Sequence, residues 1–245
     1  MKITICSGDR QNEGVLTVPV GVCREEPMIF DATFPYKKLC IVIEQNAVFS
    51  FYEEAALEEL TIIAHESCVC RAHVVITHSQ EKKITLSLKG ECAQVDLTCF
   101  YILNGAERAT ILAHQEHHAA YTKSSIVSRG ALAGTAYVEH KGMIFIANKA
   151  IQSKALHNNK TILLSRGSQL VSSPELEVLQ RNVQCSHGTA VGPLDEEQLL
   201  YLHSRGLTDR NAQLLLLEAF FNVSDESTVK KSRTEGLIKK LQEMV

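Results

Sequence analysis

The feature that most restricts the fold of this chain is a series of short segments in which apolar and polar residues alternate. Residues 84–89 (ITLSLK) alternate strictly, and Val95, Leu97 and Cys99 share one face of another such segment. Comparable segments follow one another from the N-terminus to about residue 192. Alternation with a period of two residues is that of a half-buried β-strand. The sequence therefore predicts many short strands, which fit a β-sandwich, a barrel or a stacked β-helix.

The turns between these segments favour the β-helix. Asn104-Gly105 is the one good signal for a tight hairpin, whereas a sheet built from antiparallel hairpins needs many such turns. Polar stretches at residues 44–46, 79–82 and 157–160 instead fit the corners of stacked coils. In such a stack each coil buries its inward-facing residues against the next coil. Periodicity by itself does not decide between a β-helix and a sandwich or cupin-like domain.

The C-terminal region has a different, helical character. Asp195 is a favourable N-cap, and Gly206 is suited to end the helix that follows. An apolar stripe at helical spacing then comprises Ala212, Leu215, Leu216, Ala219 and Phe220. A third, more polar helix is expected from about residue 224. These patterns divide the chain into a β core, residues 1–193, and a C-terminal helical region, residues 194–245.

Composition excludes several classes of protein. The formal net charge is −3, and lysine and arginine do not cluster on a predicted face, which argues against a nucleic-acid partner. No stretch approaches the roughly 20 apolar residues of a membrane-spanning helix, and the first residues (MKITI) are typical of a strand rather than a signal peptide. We therefore expect a cytoplasmic protein in a reducing compartment. The eight cysteines are then expected to be mostly small buried hydrophobes and not disulfide partners.

Two groups of metal-ligating residue types are interpreted as structural. In residues 115–118 (QEHH) successive side chains point in different directions, so they do not converge on one ion. Glu116 and His117 are predicted to be surface groups, and His118 is predicted to be structural. Cys68 and Cys70 share a strand face but have no second chelating pair at matched spacing, so they are predicted to lie in the core.

Support for catalysis is weak. The chain has no Gly-x-Ser-x-Gly element, no P-loop and no dinucleotide-binding fingerprint. A carbohydrate-active or other ligand-binding β-helix is the alternative, and it needs acidic residues repeated along one groove, whereas Asp96 and Glu107 are isolated. A solvated acidic patch is the interpretation of Glu53, Glu54, Glu58 and Glu59.

The strongest signal lies where the strands give way to the helices. Residues 183–192 read VQCSHGTAVG, and they are followed by residues 195–199 (DEEQL) and 204–206 (SRG). In order and spacing these residues resemble the C-terminal signature of the SufB/SufD family of iron–sulfur cluster assembly scaffolds. The Cys-Ser-His-Gly turn is more similar to the SufD side than to the acidic Glu-His-Glu of the SufB side. The resemblance covers roughly residues 110–222 well.

This resemblance implies a mainly β fold, a right-handed parallel β-helix core followed by a small C-terminal helical region. It implies a minimal family member without the usual N-terminal helical region. The implied function is that of a non-enzymatic scaffold subunit, a dimer formed with itself or with a SufB-like paralogue. A SufC-like ATPase would bind the helical region, where Leu216 and Phe220 are the expected contacts. A transient iron–sulfur cluster at the subunit interface is implied, and no permanent cofactor.

Cys185 and His187 are the candidate cluster or metal ligands. They flank Ser186 on one strand, so both side chains point to the same face. A thiolate and an imidazole are suitable ligands for iron or zinc. The alternative is a Cys185 buried in the last coil beside a His187 that only forms hydrogen bonds at a dimer contact. The resemblance places this pair at the subunit interface and links the histidine to cluster building.

Overall fold

The computed structural model describes residues 4–7, 12–24, 26–221 and 239–245, with only the backbone described for residues 4–7. The elements are β1 (Thr4–Ser7), β2 (Glu13–Val18), β3 (Met28–Phe30), β4 (Lys38–Ile43), β5 (Val48–Glu53), β6 (Glu59–Ala64), β7 (Val69–Ile76), β8 (Gln80–Leu88), β9 (Gln94–Leu103), β10 (Arg108–His117), β11 (Lys123–Leu132), β12 (Tyr137–Ile146), β13 (Lys154–Leu163), β14 (Gln169–Val178), β15 (Gln184–Gly192), α1 (Glu196–Ser204) and α2 (Asp209–Phe221).

The strands form two sheets that the chain visits alternately. One sheet has the order β1-β2-β4-β6-β8-β10-β12-β14, and the other has the order β15-β13-β11-β9-β7-β5-β3. Neighbouring strands are parallel, and the antiparallel pair β1–β2 is the exception within the described sheets. Each coil therefore contributes one strand to each sheet, and about six coils stack into a β-helix. The predicted β-helix is confirmed, and the sandwich and cupin-like alternatives are excluded.

The interior between the sheets changes character along the β-helix. In the early coils it is mainly apolar, as where Ile41, Ile62 and Leu86 stack in register on β4, β6 and β8 with no exposed surface. Strands lengthen from six residues in β4 to ten in β9 through β14. The wider late coils bury polar side chains instead: Gln115, His117, Thr122, Ser124, Ser128, His140, Ser153, His157, Asn159 and Thr161.

One corner of the β-helix is built by a ladder of residues with positive φ. One such residue occurs per coil: Gly21, Asn46, Ser67, Cys92, Tyr121 and Gln152. Each donates its backbone N–H to a carbonyl of the next coil, as from Asn46 to Glu66 (2.9 Å). The left-handed conformation costs a non-glycine residue roughly 1–2 kcal/mol, and these inter-coil hydrogen bonds offset that cost. From Asn46 onward the following residue turns into the core and is small, as with Ala47 and Ser153.

The predicted corners are only partly right. Residues 44–46 form a corner as expected, with Asn46 in the left-handed region. Residues 157–160 lie within β13, and residues 79–82 lie mostly within β8. Those two predictions are wrong because buried polar side chains in these strands resemble the polar residues of a turn.

The two helices follow β15. The second helix packs on the outer face of the seven-stranded sheet, which contains β9 and β11. Asp195 caps α1 by accepting hydrogen bonds from the N–H groups of Glu197 (2.9 Å) and Gln198 (3.1 Å), as predicted. No residue of α1 is buried. Phe221 of α2 packs edge-on against Phe100 of β9, with ring centroids 5.7 Å apart. No helix within the described residues is long and apolar enough to span a membrane.

The predicted apolar stripe of α2 is wrong in phase. The structure buries Ala212, Leu217 and Phe221, whereas Leu215 is 45% exposed. Because residues 214–217 are four consecutive leucines, the pattern fits more than one helical face, and packing on β9 and β11 selects the buried one. The start of the predicted third helix lies outside the described residues.

Candidate functional site

The interior of the β-helix is exposed at the end formed by β14 and β15, which we call the open end. Leu176 and Val178 of β14 are in register with the buried Ile144 and Ile146 of β12, so they belong to the interior face. They are nevertheless 43% and 40% exposed, and Val191 of β15 is 50% exposed. Both strands also lie at the edges of their sheets. The last coil thus presents an apolar interior surface between two edge strands.

Cys185 and His187 lie on this same interior face. The register aligns Cys185 with Ala155 and His187 with His157, and both of those β13 residues are buried. The prediction that the two side chains share a face is therefore confirmed. Cys185 is half-buried, and burial raises the pKa of its thiol. His187 is exposed.

The surroundings of Cys185 agree in part with the alternative, in which this residue is buried in the last coil. Its side chain packs against a small apolar cluster that includes Ile144, Ile146 and Ala155. It therefore contributes to the core of the last coils while it remains partly accessible.

A layer of buried histidines lies beneath the open end. His157 is 4% exposed and His140 is 1% exposed, and their rings meet nearly perpendicularly with centroids 5.2 Å apart. Burial, and to a smaller extent the neighbouring His157, lowers the pKa of His140 to about 3. Burial, and to a smaller extent His187, lowers the pKa of His157 to about 4. Both buried imidazoles are therefore neutral at physiological pH.

His117 corrects a prediction, because it is fully buried and not a surface group. Its ring nitrogens lie 2.7 Å from Thr122 Oγ1 and 2.7 Å from Ser124 Oγ. Burial lowers its pKa to about 4. Glu116 and His118 instead lie on the outer face, with His118 Nε2 3.2 Å from the Glu116 carboxylate.

The predicted acidic patch also needs correction. Glu53 is fully buried in the core, where its carboxylate accepts a hydrogen bond from Lys82 Nζ and another from the Leu57 N–H (3.2 Å). Cys68 and Cys70 are buried, as predicted, and burial raises the pKa of both thiols.

Sequence reasoning missed His140 and His157 as parts of this region. Both follow the period of two on their strands, since Val138, His140 and Ile144 face inward on β12. That period was the available signal. Local polarity obscures this signal at His157, because residues 157–160 (HNNK) resemble a solvent-exposed turn.

No group of three or more histidine, cysteine, aspartate or glutamate side chains within the described residues is arranged to hold a metal ion. Cys185 and His187 provide two donors at most for an incoming ion or cluster, so further ligands have to come from elsewhere. The donor types, one thiol and one imidazole, suit iron and zinc. The orphaned ring nitrogens of the buried His157 lie one coil below.

Comparison with known proteins identifies a family for this chain. Residues 56–220 match the family model described as the SufBD core domain of the SUF system for FeS cluster assembly. The chain is 30% identical to the iron–sulfur cluster assembly protein SufD of Escherichia coli over 122 residues, 50% of this chain and 28% of that protein. It is 27% identical to SufB of Bacillus subtilis over 133 residues, 54% of this chain and 29% of SufB.

A SufBD family protein of Mycobacterium leprae is 27% identical over 161 residues, 57% of this chain and 41% of that protein. The matched segments thus span less than half the length of these three relatives. The family model, in contrast, covers more than half of this chain and includes both strands of the open end. The chain therefore belongs to the SufBD core family of the SUF system for iron–sulfur cluster assembly.

Proposed function

We propose that this chain is a non-enzymatic, cytoplasmic scaffold subunit that pairs with a second SufBD-type chain and helps to assemble or pass on an iron–sulfur cluster. Family membership supports the scaffold role. The observation that carries the proposal is the open end, where Cys185 and His187 belong to the same interior surface as exposed residues such as Val178 and Val191. An apolar surface between two edge strands favours association with another chain.

The partner in this proposal is a SufB-like paralogue or a second copy of this chain. Pairing through the open end would cover the exposed Leu176, Val178 and Val191 side chains and would continue the interior of one β-helix into the other. It would also bring ligands of the second subunit close to Cys185 and His187, which supply only two. The cluster is the cargo in this arrangement, held transiently between the subunits.

We predict that Val178→Lys prevents this pairing. The substitution places a charge on the interior face of β14, which makes burial against a second chain unfavourable. Val171→Lys is the matched control, because Val171 lies on the same strand with 42% exposure but in register with Glu139 on the outer face. The mass of each variant, alone and co-expressed with a SufB-like chain, is measured by light scattering.

Val178→Lys should remain a monomer in both samples, whereas Val171→Lys should pair as the wild type does. The proposed pairing surface is wrong if Val178→Lys pairs normally with the SufB-like chain.

The helical region is the proposed binding site for a SufC-like ATPase. Leu216 and Phe220 remain the residues proposed for this contact. Phe220 is also engaged with the core, since the Arg129 guanidinium lies 5.5 Å above its ring. Two apolar side chains of α1 are better exposed: Leu200 at 71% and Tyr201 at 57%. We therefore add both to the proposed contact.

We predict that Leu200→Asp weakens ATPase binding at least tenfold. The side chain is mostly in solvent, so the substitution should hardly affect folding, whereas an aspartate in an apolar contact loses its hydration. Val20→Asp is the control, because Val20 is 57% exposed in the early coils, remote in sequence from the helices. Affinity for the ATPase is measured by calorimetry, and equal affinities of the two variants would remove α1 from the proposed contact.

A further inference from the structure

His157 is a buried side chain whose polar atoms lack partners. It is 4% exposed, and neither ring nitrogen has a hydrogen-bond partner among the described residues. A buried polar group without a partner costs roughly 1–3 kcal/mol, and such groups are rare in folded proteins. The position therefore needs an explanation beyond packing.

The other buried histidines differ from His157 in this respect. His117 has a hydroxyl partner 2.7 Å from each ring nitrogen, Thr122 on one side and Ser124 on the other. His140 Nε2 lies 3.2 Å from Ser128 Oγ. The fold thus provides hydrogen-bond partners for His117 and His140 and leaves His157 without them.

The place of the His157 ring is set by a glycine on the opposite strand. A Cβ atom added to Gly142 would lie 2.6 Å from Cε1 and 2.8 Å from Nδ1 of the ring. Any other residue at this position would displace the imidazole. Together with the perpendicular contact to His140, this cradle holds the ring in the interior between the two sheets.

The ring is next to the open end. His157 is in register with His187 on the neighbouring parallel strand, and the two residues interact electrostatically. Their side chains occupy successive rungs on the same interior face, the first buried and the second exposed. Imidazole nitrogen is a good ligand for divalent iron, zinc, copper and nickel.

We propose that His157 is an additional metal ligand, which together with His187 binds a divalent first-row transition-metal ion just inside the open end. This inference rests on the proposed function for the identity of the metal, which is ferrous iron in a cluster scaffold. The two imidazoles supply two ligands, and solvent, the Cys185 thiolate or the paired subunit supplies the rest. His157 thereby adds a buried third ligand to the half-buried Cys185 and the exposed His187.

The test is titration of the chelator-treated full chain with Co²⁺ under anaerobic conditions, followed by visible absorption. Cobalt serves as the probe because its absorption reports the bound nitrogen and sulfur ligands. The wild type should bind one equivalent. His157→Phe keeps a ring of similar size without nitrogen atoms and should weaken binding at least tenfold. Gly142→Ala is a second variant, which keeps His157 but displaces its ring, and it should also weaken binding.

His118→Phe is the control, since this partly exposed histidine lies on the outer face, and its binding of Co²⁺ should match that of the wild type. Circular dichroism verifies that each variant folds, and Gly142→Ala decides the question if His157→Phe does not fold. The inference is overturned if the wild type binds no Co²⁺, or if folded His157→Phe or Gly142→Ala binds it as tightly as the wild type. Failure of subunit pairing with intact Co²⁺ binding would instead count against the proposed function alone.

Discussion

Replacing Lys82 by methionine is expected to lower the free energy of unfolding by about 3–5 kcal/mol. Lys82 Nζ and the Glu53 carboxylate form an ion pair with no exposed surface on either side chain. Burial lowers the pKa of Lys82, and the negative charge of Glu53 opposes that shift. Without the lysine, Glu53 is left charged in an apolar interior, with the Leu57 N–H as a remaining hydrogen-bond donor.

The double variant Glu53→Leu/Lys82→Met should be far less destabilised than either single variant. Replacing a whole buried ion pair with apolar residues is often neutral or stabilises by about 1–4 kcal/mol, because neither charge has to leave water. We therefore expect a coupling free energy of several kcal/mol between the two positions.

Urea denaturation of the four proteins of this cycle measures that coupling. Lys37→Met is the matched control, because Lys37 forms a 2.5 Å ion pair with Glu58 in which the side chains are 64% and 50% exposed. It should cost less than about 1 kcal/mol. The account of the buried pair is wrong if Lys82→Met is no more destabilising than Lys37→Met.

Acidification from pH 7 to pH 5 should destabilise the protein by about 2 kcal/mol for each of His117 and His140. Burial lowers the pKa of these residues in the folded state to about 4 and about 3, whereas a histidine in the unfolded chain has a pKa of about 6.5. Between these values the unfolded state binds more protons than the folded state. Stability is therefore fully present above the unfolded pKa and is lost as the pH falls.

The free energy of unfolding is measured by urea denaturation at pH 7 and pH 5, with a chelator present. His117→Gln should be less stable at pH 7 but should lose about 2 kcal/mol less on acidification, because one buried titrating group is gone. His118→Gln, altered on the outer face, serves as the control and should show the wild-type loss. A stability that does not change between pH 7 and pH 5 would contradict buried neutral histidines.

The strands could be predicted because the alternation of apolar and polar residues identifies a strand locally. The stacking of coils could not be derived from that period, since the register joins distant residues such as Ile111 and His140. There the resemblance of residues 183–206 to a known family decided the architecture. Cys185 and His187 could be placed on one face because residues two positions apart on a strand share a face.

The polar core could not be recognised with the same ease. Glu53 and Lys82 lie 29 positions apart. The residues next to either one in sequence do not indicate that it pairs with the other. His117 and His157 are surrounded by polar neighbours in sequence, which is typical of exposed corners. The period of two residues predicts that both histidines face inward. Their burial is favourable only because of contacts with neighbouring coils, which the sequence pattern does not show.

In the proposed function, the open end holds an iron–sulfur cluster between paired subunits. The most direct test is the iron and acid-labile sulfide content of the anaerobically purified complex with SufB-like and SufC-like partners, measured for the wild type, His187→Ala and Cys185→Ser. We predict that His187→Ala leaves the mass of the complex unchanged and lowers both iron and sulfide at least twofold. Cys185→Ser should do the same because the thiol is partly accessible. Wild-type iron and sulfide in both variants would contradict the claim and leave Cys185 and His187 with a structural role.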